Sequence, residues 1–156
     1  MTAKTTASKT RYMALALEQA EAAARVGEVP VGAVLIDPSA GTVLSSAHNL
    51  VETHSDPTAH AELLVIRAAA AELGAKRLTG ADLYVTLEPC AMCAQAIAFA
   101  RLRRLYFGAY DPKGGGVEHG PQIFRQPTCH HRPEVIGGVE ETRCGDLLRA
   151  FFRERR

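Results

Sequence analysis

Two short motifs, separated by residues 63–88, constrain this chain more than any other feature of its sequence. The first is His60-Ala61-Glu62 and the second is Pro89-Cys90-Ala91-Met92-Cys93. Together they supply one imidazole and two thiols, which are good zinc ligands, and a carboxylate two residues from the imidazole. A closed structural zinc site uses four protein ligands, whereas a catalytic site keeps one position for water. His60, Cys90 and Cys93 therefore predict a catalytic site with one Zn²⁺ per subunit.

The spacing of the two cysteines predicts a helix start. Cys90 and Cys93 are three residues apart, so their side chains share one face of a helix. Pro89 fits the first turn, where its missing N–H group costs nothing. The unpaired N–H groups and the positive dipole end of a helix start also stabilise thiolates, the form of cysteine that binds a metal. We therefore expect a helix from about Cys90 to Ala100.

The pair His60 and Glu62 requires a different local structure. Two positions apart on an ideal helix correspond to about 200° around its axis, so both side chains cannot face one site from a helix interior. They can converge if His60 lies at the lip of a helix, and we expect a helix to start within a residue or two of His60. Glu62, as a non-ligand, is then placed to take a proton from water and deliver it to a substrate.

The cysteines allow other interpretations. A C-x-x-C motif alone also occurs in structural zinc sites and in thioredoxin-like redox proteins, but redox chemistry has no use for His60 or Glu62. Without a secretion signal, the four cysteines do not indicate a disulfide framework. Cys129-His130-His131 looks like a second metal cluster, but adjacent residues rarely chelate one ion well, so we expect no second metal.

The apolar pattern predicts alternating strands and helices. Strands are expected over 29–36, 42–49, 83–87, 104–109 and 135–136, and helices over 10–26, from near 60 to 73, 90–100 and 139–155. This order indicates an α/β protein, a three-layer α/β/α sandwich on a five-stranded mixed sheet with one antiparallel edge pair. Such sheets place their sites at the carboxyl ends of strands, where both motifs are expected.

Composition and charge narrow the possible functions. No stretch approaches the ~20 apolar residues of a membrane span, and residues 1–9 lack the apolar core of a signal peptide. We therefore expect a cytoplasmic protein with no membrane contact, in which residues 1–9 form a flexible tail and residues 10–156 a single domain. The net charge of +1 combines −3 over residues 1–100 with +4 over residues 101–156, and a basic second half favours a polyanionic partner.

The combination of H-x-E with P-C-x-x-C is the signature of zinc-dependent nucleobase deaminases. From about residue 11 onwards, the chain resembles the bacterial tRNA-specific adenosine deaminases. The stretches that carry the resemblance are Glu28–Val34, Asp56–Glu62, Leu83–Cys90, Phe107–Ala109 and Phe151–Arg153. The resemblance implies a cytidine deaminase-like fold, a homodimer, and hydrolysis of adenosine to inosine at the wobble position of a tRNA anticodon, with an arginine tRNA as the expected partner.

The same resemblance implies roles for individual residues. His60, Cys90 and Cys93 match the zinc ligands, and Glu62 matches the proton shuttle. Six residues are assigned to substrate binding: Asn49, Ala61, Asp111, Lys113, Phe152 and Arg153. Asn49 matches a residue that hydrogen-bonds the flipped base. Asp111 and Lys113 match a loop near the anticodon backbone, and Phe152 and Arg153 match the part of the C-terminal helix near neighbouring nucleotides. The basic residues Arg101, Arg103, Arg104, Arg149, Arg153, Arg155 and Arg156 are candidates for phosphate contacts, although plain surface charge is the favoured interpretation of each arginine taken alone.

Residues 114–131 depart from the family pattern. A turn of the Gly-Ala-x-Gly-Ser type is expected there, and the chain has Gly114-Gly115-Gly116-Val117-Glu118-His119-Gly120 instead. Two alternatives stay open. A deaminase of free bases or nucleosides, such as guanine or cytosine, has the same zinc centre. A zinc-stabilised RNA-binding module without catalysis belongs to another class, and it would have no need of Glu62.

Overall fold

Five strands form one mixed sheet at the centre of the molecule, which the computed structural model describes over residues 3–155. They are β1 (Gly32–Asp37), β2 (Thr42–His48), β3 (Asp82–Leu87), β4 (Arg104–Ala109) and β5 (Glu134–Ile136), in the order β2-β1-β3-β4-β5. β1 pairs antiparallel with both β2 and β3, whereas β3–β4 and β4–β5 are parallel. The expected antiparallel edge pair is present, but β1 lies inside the sheet and is reversed relative to both of its neighbours.

Helices cover both faces of this sheet. α1 (Ala3–Arg25) and α5 (Glu141–Arg153) pack on one face, and α3 (Ala61–Leu73) and α4 (Ala91–Phe99) on the other. Along β1, Ala33 and Leu35 face the α3 and α4 side while Val34 and Ile36 face α1, as strand alternation requires. The short helix α2 (Val51–His54) and a 3₁₀ helix (Ile123–Arg125) lie in the loops. The expected three-layer sandwich is confirmed.

The first helix is longer than expected. It begins at Ala3 and not near residue 10, so the helix includes residues 3–9 of the expected tail, while residues 1 and 2 lie outside the described residues. Alanine and lysine favour helix, and they occupy positions 3, 4, 7 and 9. Ser8 and Lys9 are also half-buried beside Tyr12, where they line a small cavity against the sheet. These contacts with the rest of the fold explain why α1 begins before residue 10, where the apolar pattern predicted its start. In residues 3–155, no helix is both long and apolar enough to cross a membrane.

A glycine lets α1 lie directly against the start of β1. A Cβ atom on Gly32 would be 2.1 Å from the carbonyl oxygen of Ala16 and 2.5 Å from the backbone nitrogen of Ala20. Backbone atoms at these distances cannot give way to a side chain, so only glycine permits this approach. The residue therefore sets the depth at which the first helix packs on the sheet.

Strand direction brings both sequence motifs to one edge of the sheet. β2, β3 and β4 run in the same direction on either side of the reversed β1, so their carboxyl ends meet the beginning of β1. His60 follows β2 by way of α2, and Cys90 follows β3 after two residues. The expectation that the motifs lie where strands end and helices begin is confirmed.

Candidate functional site

The three predicted metal ligands lie together. Nδ1 of His60 is 3.6 Å from Sγ of Cys90 and 3.4 Å from Sγ of Cys93. The three ligand atoms lie within 4.8 Å of one another, and no other such group of three occurs in the part of the chain that the structure describes. Tetrahedral zinc, with bonds of about 2.0 Å to nitrogen and 2.3 Å to sulfur, holds such ligand atoms about 3.5 Å apart. The donor set and its spacing therefore fit zinc.

Each ligand is positioned by the start of a helix. His60 is the N-cap of α3, with φ −76° and ψ 147°, so its backbone is extended. The expected helix start at His60 is confirmed, and it explains how His60 and Glu62 reach one site from positions two residues apart. Cys90 is the N-cap of α4 and Cys93 lies in its first turn. Pro89, which we expected in the first turn, instead precedes the N-cap, where its missing N–H group is equally harmless.

The two thiols differ in acidity. Hydrogen bonds from Cys93 and His60 lower the pKa of the Cys90 thiol to about 4. The hydrogen bond that Cys93 donates to Cys90, together with burial, raises the pKa of Cys93. The contact with Cys90 also raises the pKa of His60. The side chains by themselves therefore place one thiolate on Cys90, and a divalent cation supplies the charge that would ionise both thiols.

Glu62 is a buried carboxylate beside the cluster. It is 4 % exposed, and burial raises its pKa, while His60 partly opposes this effect. Its side chain also contacts the Cys93 thiol. A raised pKa makes a carboxylate a stronger base, so a buried carboxyl group of this kind is better suited to accept a proton and then release it. Glu62 thus has the property that a proton shuttle requires.

A cavity of about 810 Å³ opens beside the metal ligands, a volume suited to a nucleoside. His60, Glu62 and Cys90 line it together with Gly27, Glu28, Val29, Val31, Asn49, Val51, Glu52, Ala61, Leu87, Glu88, Asp111, Gly114, Phe151 and Arg155. Three of the predicted substrate-binding residues, Asn49, Ala61 and Asp111, are among the lining residues. Lys113, Phe152 and Arg153 lie outside the lining.

Asn49 is oriented by the backbone around it. Its Oδ1 accepts a hydrogen bond from the Val51 N–H group at 3.2 Å. Its backbone N–H group donates to the carbonyl oxygen of Val31 at 3.0 Å. Because the amide oxygen is engaged in this turn, the NH₂ group of Asn49 is the part of the side chain left to donate into the cavity.

Glu28 is a functional candidate that sequence reasoning missed. Its carboxylate is fully buried and accepts hydrogen bonds from the Glu52 N–H group at 3.1 Å and from the N–H and hydroxyl groups of Thr53, both at 2.6 Å. Burial opposes its ionisation, but the hydrogen bonds from Thr53 and Glu52 outweigh burial and lower the pKa. Glu28 thus secures the turn of α2 that also orients Asn49. A carboxylate directly before the apolar Val29-Pro30-Val31 was the available signal.

Glu88, two residues before Cys90, was also missed. It is 2 % exposed. Its Oε1 accepts from the Asp111 N–H group at 3.1 Å and from Nδ1 of His119 at 2.8 Å. Its Oε2 accepts from the backbone N–H groups of Val117, Glu118 and His119 at 3.0–3.2 Å. Burial again opposes ionisation, but these hydrogen bonds lower the pKa of Glu88.

The end of the chain contributes Phe151 and Arg155 to the cavity, whereas Phe152 and Arg153, which we expected near neighbouring nucleotides, lie outside its lining. The Arg155 guanidinium carbon lies 3.5 Å from the centre of the Phe151 ring. Phe151 is buried, whereas Phe152 is 46 % exposed and Arg153 is also exposed. A shift of one helical residue changes the face by about 100°, and the apolar pattern does not distinguish two adjacent phenylalanines.

Several other basic residues lie away from the cavity. Arg103 binds Asp82 through two hydrogen bonds of 2.8 and 2.6 Å, and Arg104 pairs with Glu134 at 2.6 Å, all where the parallel strands begin. Arg101 donates to the carbonyl oxygen of His130 at 2.8 Å. The group Cys129-His130-His131 is tied to the backbone, with Nε2 of His131 2.6 Å from the carbonyl oxygen of Leu102. Arg156 lies outside the described residues.

Comparison with known proteins places this site in a family. Residues 6–109 match the cytidine and deoxycytidylate deaminase zinc-binding region. A tRNA-specific adenosine deaminase of Agrobacterium fabrum is 55% identical over 150 residues, which cover 96% of this chain and 97% of that protein. A solved structure from work on A-to-I editing by tRNA:A34 deaminases has a TM-score of 0.86 at 55% identity, covering 89% of this chain and 99% of its own. The guanine deaminase of Nitrosomonas europaea, at 22% identity and a TM-score of 0.75 over 91% of this chain and 83% of its own, shares the fold. The resemblance inferred from the motifs and the expectation of zinc are therefore confirmed.

Proposed function

We propose that this chain, which belongs to the cytidine and deoxycytidylate deaminase family, is a zinc-dependent hydrolase that converts adenosine to inosine at the wobble position of a tRNA anticodon. The observation that carries the proposal is the cluster of His60, Cys90 and Cys93 with the buried Glu62 beside it. A structural metal site has no need of a non-ligand carboxylate. The choice of tRNA adenosine is supported by the 55% identical relative, which matches over 97% of its length.

The reaction replaces the amino group at C6 of adenine with oxygen from water, and ammonia leaves. Zinc held by His60, Cys90 and Cys93 would supply a Lewis acid that lets water ionise near neutral pH. Glu62 takes one proton from this water and delivers it to N1 of the purine ring, and it then carries the second proton of the water to the departing amino group, which leaves as ammonia. The raised pKa of Glu62 suits both steps, because the same group must act as base and then as acid.

Residues inside and outside the cavity would divide substrate recognition between them. Asn49 donates its amide NH₂ to an acceptor on the flipped base, and Ala61 and Asp111 border the same space. Lys113, Phe152 and Arg153 are exposed outside the cavity. There a neighbouring base can stack on the Phe152 ring, and phosphate groups can lie near the Lys113 and Arg153 cations. A hairpin loop presents bases that are already partly unstacked, so flipping one costs less than extracting it from a duplex.

Two exposed apolar side chains support a homodimer. Met92 and Phe99 lie seven residues apart on α4, so they share a face, and they are 36 % and 72 % exposed. A second copy of the chain would cover them. Sedimentation should show a dimer that Phe99→Glu shifts toward monomer, and an unchanged dimer in that variant would place the interface elsewhere.

The proposed substrate is an arginine tRNA anticodon stem-loop and the proposed location is the cytoplasm, both supported by the likeness to a bacterial tRNA-specific adenosine deaminase. Purified protein should convert the wobble adenosine of this RNA to inosine, as read by inosine mapping, and Glu62→Ala should bind zinc but lose turnover. Activity on free guanine or cytosine without activity on the RNA would identify a free-base deaminase. Wild-type protein that binds the RNA but shows no turnover would be a non-catalytic module.

A further inference from the structure

We propose that Glu88 is a positioning residue, whose carboxylate holds residues 111–119 as a preformed wall of the cavity and so presents Asp111 to the substrate. Residues 111–119 are called the rim loop below. The inference rests on the proposed function, because it concerns how the RNA is received at that site. Glu88 is buried and lies beside the metal-binding motif, yet the reaction does not use it.

The Glu88 carboxylate accepts hydrogen bonds from both ends of the rim loop. One carboxylate oxygen takes the N–H group of Asp111, the first residue of the loop. The other takes three consecutive N–H groups, those of Val117, Glu118 and His119, at its end. A single side chain therefore satisfies four backbone donors that would otherwise need water. Hydrogen bonds to an ionised acceptor are stronger than neutral ones, so this carboxylate has more influence on the loop than a polar neutral group would.

The glycine run of the rim loop is explained by this contact. A Cβ atom on Gly115 would be 2.3 Å from Oε2 of Glu88, and one on Gly116 would be 2.5 Å from the backbone nitrogen of Ala91. The N–H group of Gly116 also donates to the carbonyl oxygen of Pro89 at 2.8 Å. The loop thus passes between the Glu88 carboxylate and the start of α4 with no room for side chains. Gly115 and Gly116 are therefore required by the packing of this loop.

Asp111 is the residue that this arrangement presents. Its backbone is held by Glu88, and its Oδ1 accepts hydrogen bonds from the N–H groups of Lys113 and Gly114 at 3.2 and 2.9 Å. The side chain is therefore fixed within its own turn, and its Oδ2 stays available to a donor in the cavity. A substrate contact held in place before binding avoids the entropic cost of ordering the loop afterwards.

His119 offers a way to test the role of Glu88 without changing a buried residue. Its Nδ1 lies 2.8 Å from Oε1 of Glu88 and must carry the proton, because the partner is a carboxylate. The imidazole is 33% exposed, so its removal leaves no buried cavity. The amide nitrogen of an asparagine reaches nearly the same position as Nδ1, so His119→Asn preserves the donor while His119→Ala removes it.

The experiment compares the zinc-loaded wild type with His119→Ala, His119→Asn, Glu88→Gln and His130→Ala, the last being an exposed imidazole used as control. Amide hydrogen exchange is measured without RNA. Exchange at residues 111 and 117–119 should accelerate about tenfold in Glu88→Gln and about threefold in His119→Ala, and stay at the wild-type rate in His119→Asn and His130→Ala.

The same variants are then assayed on the anticodon stem-loop. KM should rise about threefold in His119→Ala and about tenfold in Glu88→Gln with kcat and zinc content unchanged, because the loop contributes binding and not chemistry. Unchanged exchange in Glu88→Gln, or a fall in kcat that follows loss of zinc, would overturn the proposal. If wild-type protein does not deaminate the RNA, the proposed function fails, while the exchange data still decide whether Glu88 holds the loop.

Discussion

The cavity contains two kinds of buried carboxylate, and the contrast between them separates chemistry from architecture. Around Glu62, burial dominates and raises the pKa. Around Glu28 and Glu88, hydrogen bonds from neighbouring groups outweigh burial and lower the pKa. A raised pKa favours proton transfer by a group of the first kind, whereas groups of the second kind stay ionised and hold backbone N–H groups. Three glutamates that look alike in sequence therefore have opposite tasks.

The sharpest test of this contrast is Glu62→Gln. We expect kcat to fall by about 10²–10⁴-fold, because the amide cannot transfer a proton. The free energy of unfolding should stay within about 0.5 kcal/mol of wild type or rise, since a poorly solvated charge is removed. Single-turnover kinetics and urea unfolding measure the two quantities. A strongly destabilised Glu62→Gln protein would place Glu62 with the architectural carboxylates.

Glu28→Gln should show the opposite behaviour. The amide can accept with one oxygen only, so its NH₂ group faces either the Glu52 N–H group or the two donors of Thr53. We expect the free energy of unfolding to fall by about 1.5–3 kcal/mol, the range for hydrogen bonds to a charged group. Urea denaturation measures this loss. If Glu28→Gln is as stable as wild type, the hydrogen bonds that lower the pKa of Glu28 do not stabilise the fold.

The pH dependence of stability provides a further test. The folded-state pKa of Glu28 lies below its ordinary value of 4.5, so its stabilising contribution is present above that value and is lost as pH falls through the folded pKa. The difference in unfolding free energy between wild type and Glu28→Gln should therefore be constant from about pH 7 to pH 5 and shrink below about pH 4.5. A difference that grows as the pH falls would mean that folding raises the pKa of Glu28 and does not lower it.

The smallest expected effect is at Thr53. Thr53→Val removes the hydroxyl group that donates to Glu28 at 2.6 Å and leaves the backbone donors in place. We expect a loss of about 1 kcal/mol in unfolding free energy. Thr53→Ser keeps the hydroxyl and serves as the matched control, so it should lose less than Thr53→Val. Equal losses in both variants would point to the methyl group and not to the hydrogen bond.

The metal site was predictable because its chemistry restricts residue type and spacing. His60, Cys90 and Cys93 were identified from their sequence, and the helical angle between His60 and Glu62 required the helix start that the structure shows. The sandwich fold followed from the order of strands and helices. These features depend on short-range geometry, which a sequence records directly.

The architectural carboxylates were not predictable in the same way. Glu28 and Glu88 act through backbone groups 23 to 31 positions away, and any residue except proline can supply a backbone donor. The pairing of β1 with β3 and the choice between Phe151 and Phe152 as lining residue likewise depend on tertiary packing. Such contacts leave no compositional pattern at either end.

The reversed strand β1 has a consequence for the order of folding. Ala33 pairs with Val85, 52 positions later, and this pairing brings the segment of Glu28 beside that of Glu88. Pairings of such long sequence separation close slowly, because the entropy of the intervening chain must be lost first. The metal ligands all lie in residues 60–93, whereas another part of the cavity lining comes from residues 27–31, between α1 and β1. We therefore expect the ligand cluster to be in place before the substrate cavity is enclosed.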